Sequence, residues 1–212
     1  MRGSREAPEK KTSALTRKLD NELRALLRGV WTFETASPAL LALGRPALDR
    51  LLDATAGAFF PTDIEWRDYG MYRQHAVAAF ANADMEGVLS AMKKRKWTDA
   101  AVARSGVGLV QDARVVPLLV SAYADREPLW RQNAIDYLGS QRDPRATDTV
   151  LRALKDRSSA VRLAAIRALG QIGDPQTISA LRAIADHSQR SLVVEYEVKE
   201  ALRKIRKANR SR

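Results

Sequence analysis

The chain repeats itself every 31 residues. Asp112, Asp143 and Asp174 are separated by that step, as are Gly108, Gly139 and Gly170, and Val107, Leu138 and Leu169. Ala103, Ala134 and Ala165 form a further column, and Leu119, Val150 and Leu181 another. So many columns in register over three units are hard to obtain by chance. A unit this short cannot bury its apolar face alone, so neighbouring units must stack and share a continuous core.

Each unit reads as two helices. After the Asp, apolar residues recur at helical spacing, as in Val115, Leu118, Leu119, Ala122 and Tyr123, then Val150, Leu151 and Leu154. A break follows at Asp125-Arg126-Glu127-Pro128 and again at Asp156-Arg157-Ser158-Ser159. Pro128 suits the first turn of the next helix, and Ser158 or Ser159 can cap its free amides. The second helix runs through Ala134, Ile135 and Leu138, or Ala165, Ile166 and Leu169, and is expected to end at Gly139 or Gly170 in a left-handed turn.

The stretch Ser159–Pro175 and its weaker copy Leu129–Pro144 resemble HEAT repeats, in particular the short bacterial type named after phycobilisome lyases. The resemblance covers residues 98–187. It implies an all-α, right-handed solenoid of five to six antiparallel helix pairs. It also implies an inter-repeat ladder between the Asp closing the first helix and the Arg opening the second, which places Asp125 with Arg131 and Asp156 with Arg162 in structural positions. No activity follows from the repeat itself.

Flanking units are degenerate. Tyr72–Phe80 aligns with a second helix; Ser37–Gly44 reads as another ending in glycine, and Arg45–Leu52 as the next first helix. Val193–Lys207 reads as a last helix with Val198, Leu202 and Ile205 inward and Lys199, Arg203, Lys204 and Arg206 outward, the polar outer face a terminal repeat needs. The expected organisation is a disordered basic tail over residues 1–12 and a solenoid over 13–207. Within the solenoid, 13–97 are degenerate repeats, 98–187 regular repeats and 190–207 a capping helix; a basic tail over 208–212 follows. Met1–Ser4 reads as a vector-derived leader.

Composition narrows the chemistry. The chain of 212 residues has no cysteine and two histidines, His75 and His187. Disulfides, thiolate metal sites and cysteine nucleophiles are excluded. No P-loop, dinucleotide fingerprint, nucleophile elbow or His-based triad occurs. Two enzyme classes built on this repeat also fail: the di-iron hydroxylases need His-Glu dipeptides, of which there are none, and no Trp and Asp lie one turn apart on a second helix as in the alkylpurine glycosylases. Asp63, Glu65 and Asp68 near His75 match no standard metal spacing. A non-enzyme without cofactor or metal is expected. No secretory signal or membrane-length apolar run is evident, and a cytoplasmic location is expected.

The net charge of +11 is uneven: +4 over residues 1–30 and +5 over 181–212, against −3 over 61–90. It favours an acidic partner. The aromatic stretch 59–72 departs most from the repeat and reads as an insertion suited to recognition, with Trp66, Tyr69 and Tyr72 in it. Trp97 and Trp130 stand near the starts of second helices, the concave face of such a solenoid, where an exposed Trp beside Arg anchors peptides. Arg73, Arg104, Arg131, Arg162 and Arg167 fall on second helices too, as do Lys199 and Arg203. The expected function is a scaffold or adaptor holding a protein or peptide partner, acidic in character, on the concave face or at the 59–72 insertion. The alternative is nucleic-acid binding through a basic groove formed by these second-helix cations, similar to the repair glycosylases but without a recognisable catalytic motif. The separate run Lys93–Lys96 resembles a nucleic-acid or localisation tetrad but reads first as a solvated helix end.

Overall fold

The computed structural model describes residues 14–27, 38–55, 66–94, 105–187 and 191–210. All regular structure among them is helical. In chain order the α-helices are α1 (Ala14–Leu27), α2 (Pro38–Ala42), α3 (Gly44–Thr55), α4 (Trp66–Ala83), α5 (Met85–Lys94), α6 (Val116–Ala122), α7 (Pro128–Gln141), α8 (Thr147–Ala153), α9 (Ser159–Ile172), α10 (Ile178–His187) and α11 (Leu192–Arg210).

The repeated Asp sets the start of each unit. The carboxylates of Asp112, Asp143 and Asp174 accept the backbone N–H of Arg114, Arg145 and Gln176, each at 2.9 Å. Each thereby caps a single 3-10 turn: Ala113–Val115, Pro144–Ala146 or Pro175–Thr177. These turns lead directly into α6, α8 and α10. Pro128 takes the first turn of α7 as expected. The start of the second helix is capped differently from the expectation. Neither Ser158 nor Ser159 supplies a side-chain cap to α9; Asp156 accepts the Ser158 N–H at 2.8 Å, as Asp125 accepts that of Glu127 at 2.7 Å. The aspartate two residues upstream satisfies the amide of the N-cap residue itself, and no serine hydroxyl caps the amides that follow.

The repeated glycines also do something other than expected. Helices α7 and α9 run past Gly139 and Gly170 and end two residues later. The left-handed cap falls on Arg142 (φ 52°) and Gly173 (φ 79°). Gly139 and Gly170 instead mark where neighbouring second helices cross. A β-carbon on Gly139 would lie 2.8 Å from the Ala168 Cα, and one on Gly170 2.7 Å from the Ala201 Cα. Gly108, one repeat earlier, lies against the Tyr137 ring in the same way.

These crossings build the inner layer. The most extensive helix–helix contacts are α7 with α9 and α9 with α11; α4 and α7 both pack on the turn Val107–Leu109, which continues the layer toward the N-terminus. The first helices form the outer layer, with α6 on α7, α8 on α9 and α10 on α11. Between the layers runs one core in which Leu119, Ile135, Leu138, Ile166, Leu169, Leu181 and Ile205 are fully buried. It extends into the degenerate half through Val77, Leu51, Leu52 and Leu40. The architecture is an all-α solenoid of stacked helix pairs. Gly44 (φ 62°) turns the chain between α2 and α3, where a glycine-ended second helix was expected.

Two predicted boundaries shift. Residues 66–72 are not a loop: they form the first turns of α4, since the stretch after Pro61 regains helical spacing at Trp66, Tyr69 and Tyr72. The last helix runs to Arg210, beyond residue 207, and Asn209 donates to the Gly173 carbonyl at 3.0 Å, tying it to the preceding unit.

Candidate interaction surfaces

The arginines expected to line a groove divide by environment. Arg131 is buried. Its Nε and Nη2 donate to the two carboxylate oxygens of Asp156 at 2.8 and 2.9 Å, and its Nη1 donates to the carbonyls of Asp125 and Arg126. This is one rung of the anticipated ladder, joining adjacent units. Arg162 copies half of it: Nη1 donates to the carbonyls of Asp156 and Arg157. One repeat beyond Asp156 stands His187 rather than an acid, and Arg162 has no carboxylate partner among the described residues. Its head is exposed.

Arg167 bridges units in another way. On α9 it lies 3.3 Å from Asp136 of α7 and 3.6 Å from Glu197 of α11. Two carboxylates flank one guanidinium, so the centre of the second-helix face carries no surplus positive charge. Arg73 and Tyr72 are half-buried on α4, and Trp130 is half-buried against the core. Trp66 and Tyr69 fall in the first turn of α4. Trp97, Arg104 and residues 59–65 lie outside the described residues, as do residues 1–12 and the end of the Lys93–Lys96 run. The structure therefore joins Arg131, Arg162 and Arg167 along α7 and α9, with only Arg162 presenting an unneutralised charge.

The surplus cations sit on the terminal helix. Lys199, Arg203, Arg206, Lys207 and Arg210 line a shallow depression of about 380 Å³ along one face of α11. Lys199 pairs with Glu195 at 2.6 Å and Arg203 with Glu200 at 2.8 Å. Arg206 and Arg210 have no carboxylate within ion-pair distance among the described residues. The Arg203 guanidinium holds the Glu200 carboxyl below its usual range, so this face keeps its charges down to acidic pH. Position in the last turns adds to the effect, because cations are favoured at a helix C-terminus. The helical periodicity placed Lys199, Arg203, Lys204 and Arg206 outward correctly; that Lys199, Arg203 and Arg206 share one depression with Lys207 and Arg210 depends on the helix continuing to Arg210.

A second depression was not visible in the sequence. It lies in the outer layer between α8 and α10, with a volume of about 540 Å³. Leu151 of α8, Leu154 just after it, and Ala180, Ala183 and Ile184 of α10 form its apolar lining; Arg152 and Lys155 stand at its rim.

Among the described residues no His, Asp and Glu side chains cluster in a way that could hold a metal ion, and no helix is long and apolar enough to cross a membrane.

One titratable core group reports on the stacking of units. Burial against the Gly108 turn, together with the neighbouring Asp136 carboxylate, pushes the Tyr137 hydroxyl up to about 12. The folded state therefore holds the proton more tightly than the unfolded chain, whose tyrosines titrate near 10. The resulting stabilisation is complete below about pH 10 and is lost as pH rises through about 12. Over that interval wild type should lose roughly 2 kcal/mol more than Tyr137→Phe. Urea unfolding of both proteins at the two ends of the interval tests this; parallel losses would show that the phenol is not shielded.

A family model described as HEAT repeats matches residues 116–203. No curated protein matches the chain. The matched span begins at the first residue of α6 and ends within α11, and so covers the Asp143 and Asp174 caps, the crossing glycines Gly139 and Gly170 and the Arg131–Asp156 rung. Across these residues the chain is similar to HEAT repeats.

Proposed function

We propose that the protein is a non-catalytic scaffold that holds an acidic protein or peptide partner, with the cationic face of α11 as the principal contact. HEAT repeats are commonly protein-interaction scaffolds. The observation that carries the reading is the surplus of positive charge on α11: five cationic side chains line one depression, and the acids on the same helix pair with Lys199 and Arg203 but not with Arg206 or Arg210. The inner layer that presents this face is stiff, because its helices meet at glycine and alanine. Little conformational freedom is then lost on binding. The centre of the second-helix face, where Arg167 is flanked by Asp136 and Glu197, is assigned no part in attracting the partner.

Duplex nucleic acid is the second reading, favoured by the same row of cations. The two readings separate on salt and on ligand. A labelled acidic peptide and a labelled DNA duplex are titrated by fluorescence anisotropy into wild type and into the Arg203→Glu, Arg206→Glu, Arg210→Glu variant. The acidic peptide should bind wild type and lose at least about tenfold in affinity on charge reversal. Unchanged affinity in the variant overturns the reading. Preferential binding of the duplex, with the log–log salt dependence of several phosphate contacts and persistence at physiological salt, replaces it with the second.

A further inference from the structure

We propose that the furrow between α8 and α10 is a docking site for an amphipathic helix with acidic flanks, contributed by a protein partner. The proposal shares with the preceding one only the acidic character of the partner, and it involves different residues on the other layer of the solenoid.

Three observations converge. The first is shape. Helices α8 and α10 each pack against the inner layer, yet the space between them is open, about 540 Å³. That lies within the range of pockets that receive ligand groups. It is too small for a whole helix, whose diameter with side chains is about 10–12 Å. It suits one stripe of side chains from a helix lying along it, at the i, i+3, i+4 and i+7 anchor positions.

The second is chemistry. Leu151, Leu154 and Ile184 are half-buried and Ala183 is exposed, so the floor is apolar and accessible. Their helical spacing would ordinarily place all of them in the core. Here the outer helices are short, seven residues in α8, and do not close over one another.

The third is charge. Among the described residues, the charged ones lining the furrow are Arg152 and Lys155. Both are exposed. Arg152 donates to the Thr149 hydroxyl at 3.1 Å, and neither cation has an ion-pair partner among the described residues. An apolar floor with a cationic rim complements an apolar stripe flanked by Glu or Asp. A basic amphipathic helix would fit the floor and be repelled by the rim.

The test uses the full chain and three synthetic helical peptides: one with a leucine stripe and glutamate flanks, one with lysine flanks, and a scrambled form of the first. Binding is read by anisotropy against wild type, Ala183→Glu, the pair Arg152→Glu with Lys155→Glu, and the α11 charge-reversal variant. All substituted side chains are exposed, and circular dichroism checks that each variant is folded. The acidic amphipathic peptide should bind wild type, lose at least about tenfold in affinity in both furrow variants, and outcompete the other two peptides.

Equal binding of the scrambled peptide, affinity unchanged by Ala183→Glu, or no saturable binding to wild type overturns the proposal. If only the α11 variant loses binding, the furrow assignment falls while the cationic-face reading stands. Leu192, Val193 and Tyr196 at the start of α11 are exposed beside Glu195, and so offer similar chemistry from a second copy of the chain. Sedimentation over a concentration range detects that occupant: self-association abolished by Ala183→Glu would assign the furrow to a homo-oligomer and overturn the peptide proposal.

Discussion

Replacing Asp156 with alanine is expected to destabilise the fold by about 3–5 kcal/mol, the cost of leaving one partner of a buried ion pair uncompensated. Asp156 holds three functions at one carboxylate. It receives two hydrogen bonds from the Arg131 guanidinium, caps α9 through the Ser158 N–H, and accepts the Tyr123 hydroxyl at 3.2 Å. Both side chains of the ion pair are nearly inaccessible, at 7% and 6%. Because Arg131 also bonds two carbonyls of its own turn, the pair clamps two consecutive helix pairs together. Arg131→Met in the same background should recover part of the loss, since an apolar side chain needs no counter-charge. Urea unfolding of the two single variants and the double variant measures the coupling directly. Additive losses would mean that the rung is not a coupled unit. The carboxyl is also held below its usual range, chiefly by hydrogen bonding from Arg131. Its contribution is therefore present above the unfolded value near 4 and is lost as pH falls through the lower folded value. An acid-unfolding midpoint shared by Asp156→Ala and wild type would contradict this.

That rung shows how far the sequence could be read. The columns Asp112, Asp143, Asp174 and Gly108, Gly139, Gly170 declared a stacked helical repeat, because only a residue doing the same job in every unit recurs at a constant step. The job itself was less legible. A glycine serves either to reach positive φ or to let two backbones approach. Gly139 and Gly170 do the second; the first falls on Arg142 and Gly173. Similarly, Ser158 has the composition of a cap and stands at the N-cap of α9, but its hydroxyl makes no capping bond. Local pattern names a candidate without deciding whether its bond forms. The surfaces were harder still. Leu151 and Leu154 show the same periodicity whether or not a neighbouring helix covers them, and Arg167 reads as a groove cation until Asp136 and Glu197 are seen on either side. Partners a whole repeat away in the chain lie beyond any window that periodicity can inspect.

The second large effect belongs to the crossing glycines. Gly170→Ala should destabilise the protein even though alanine gains about 1 kcal/mol of helix propensity over glycine in a helix interior. The opposing effect is steric. The new methyl would sit 2.7 Å from the Ala201 Cα and 2.9 Å from its Cβ, and neither atom can move without displacing α11. Gly139→Ala faces the Ala168 backbone at 2.8 Å in the same way, but α9 is held on both sides, by α7 and by α11. Among the described residues α11 is packed by α9 and α10 but by no further second helix, so it can shift outward. Relief at Gly170 therefore costs burial of Val198, Ala201 and Ile205, whereas relief at Gly139 must pry apart a pair of interior units. Overpacking of this kind costs about 1–3 kcal/mol for a methylene-sized insertion. Valine at either position should exceed that and lower the melting temperature by roughly 5–10 °C for a chain of this size. Differential scanning calorimetry of Gly139→Ala, Gly170→Ala and their valine counterparts ranks the sites. Gly139 should be the more damaging, and alanine at either site should lie below wild type. Alanine variants at least as stable as wild type would mean that propensity prevails and that the inner layer is looser than these distances state. The stiffness assigned to the binding face rests on the same contacts, so the calorimetry also tests the physical basis of the scaffold reading.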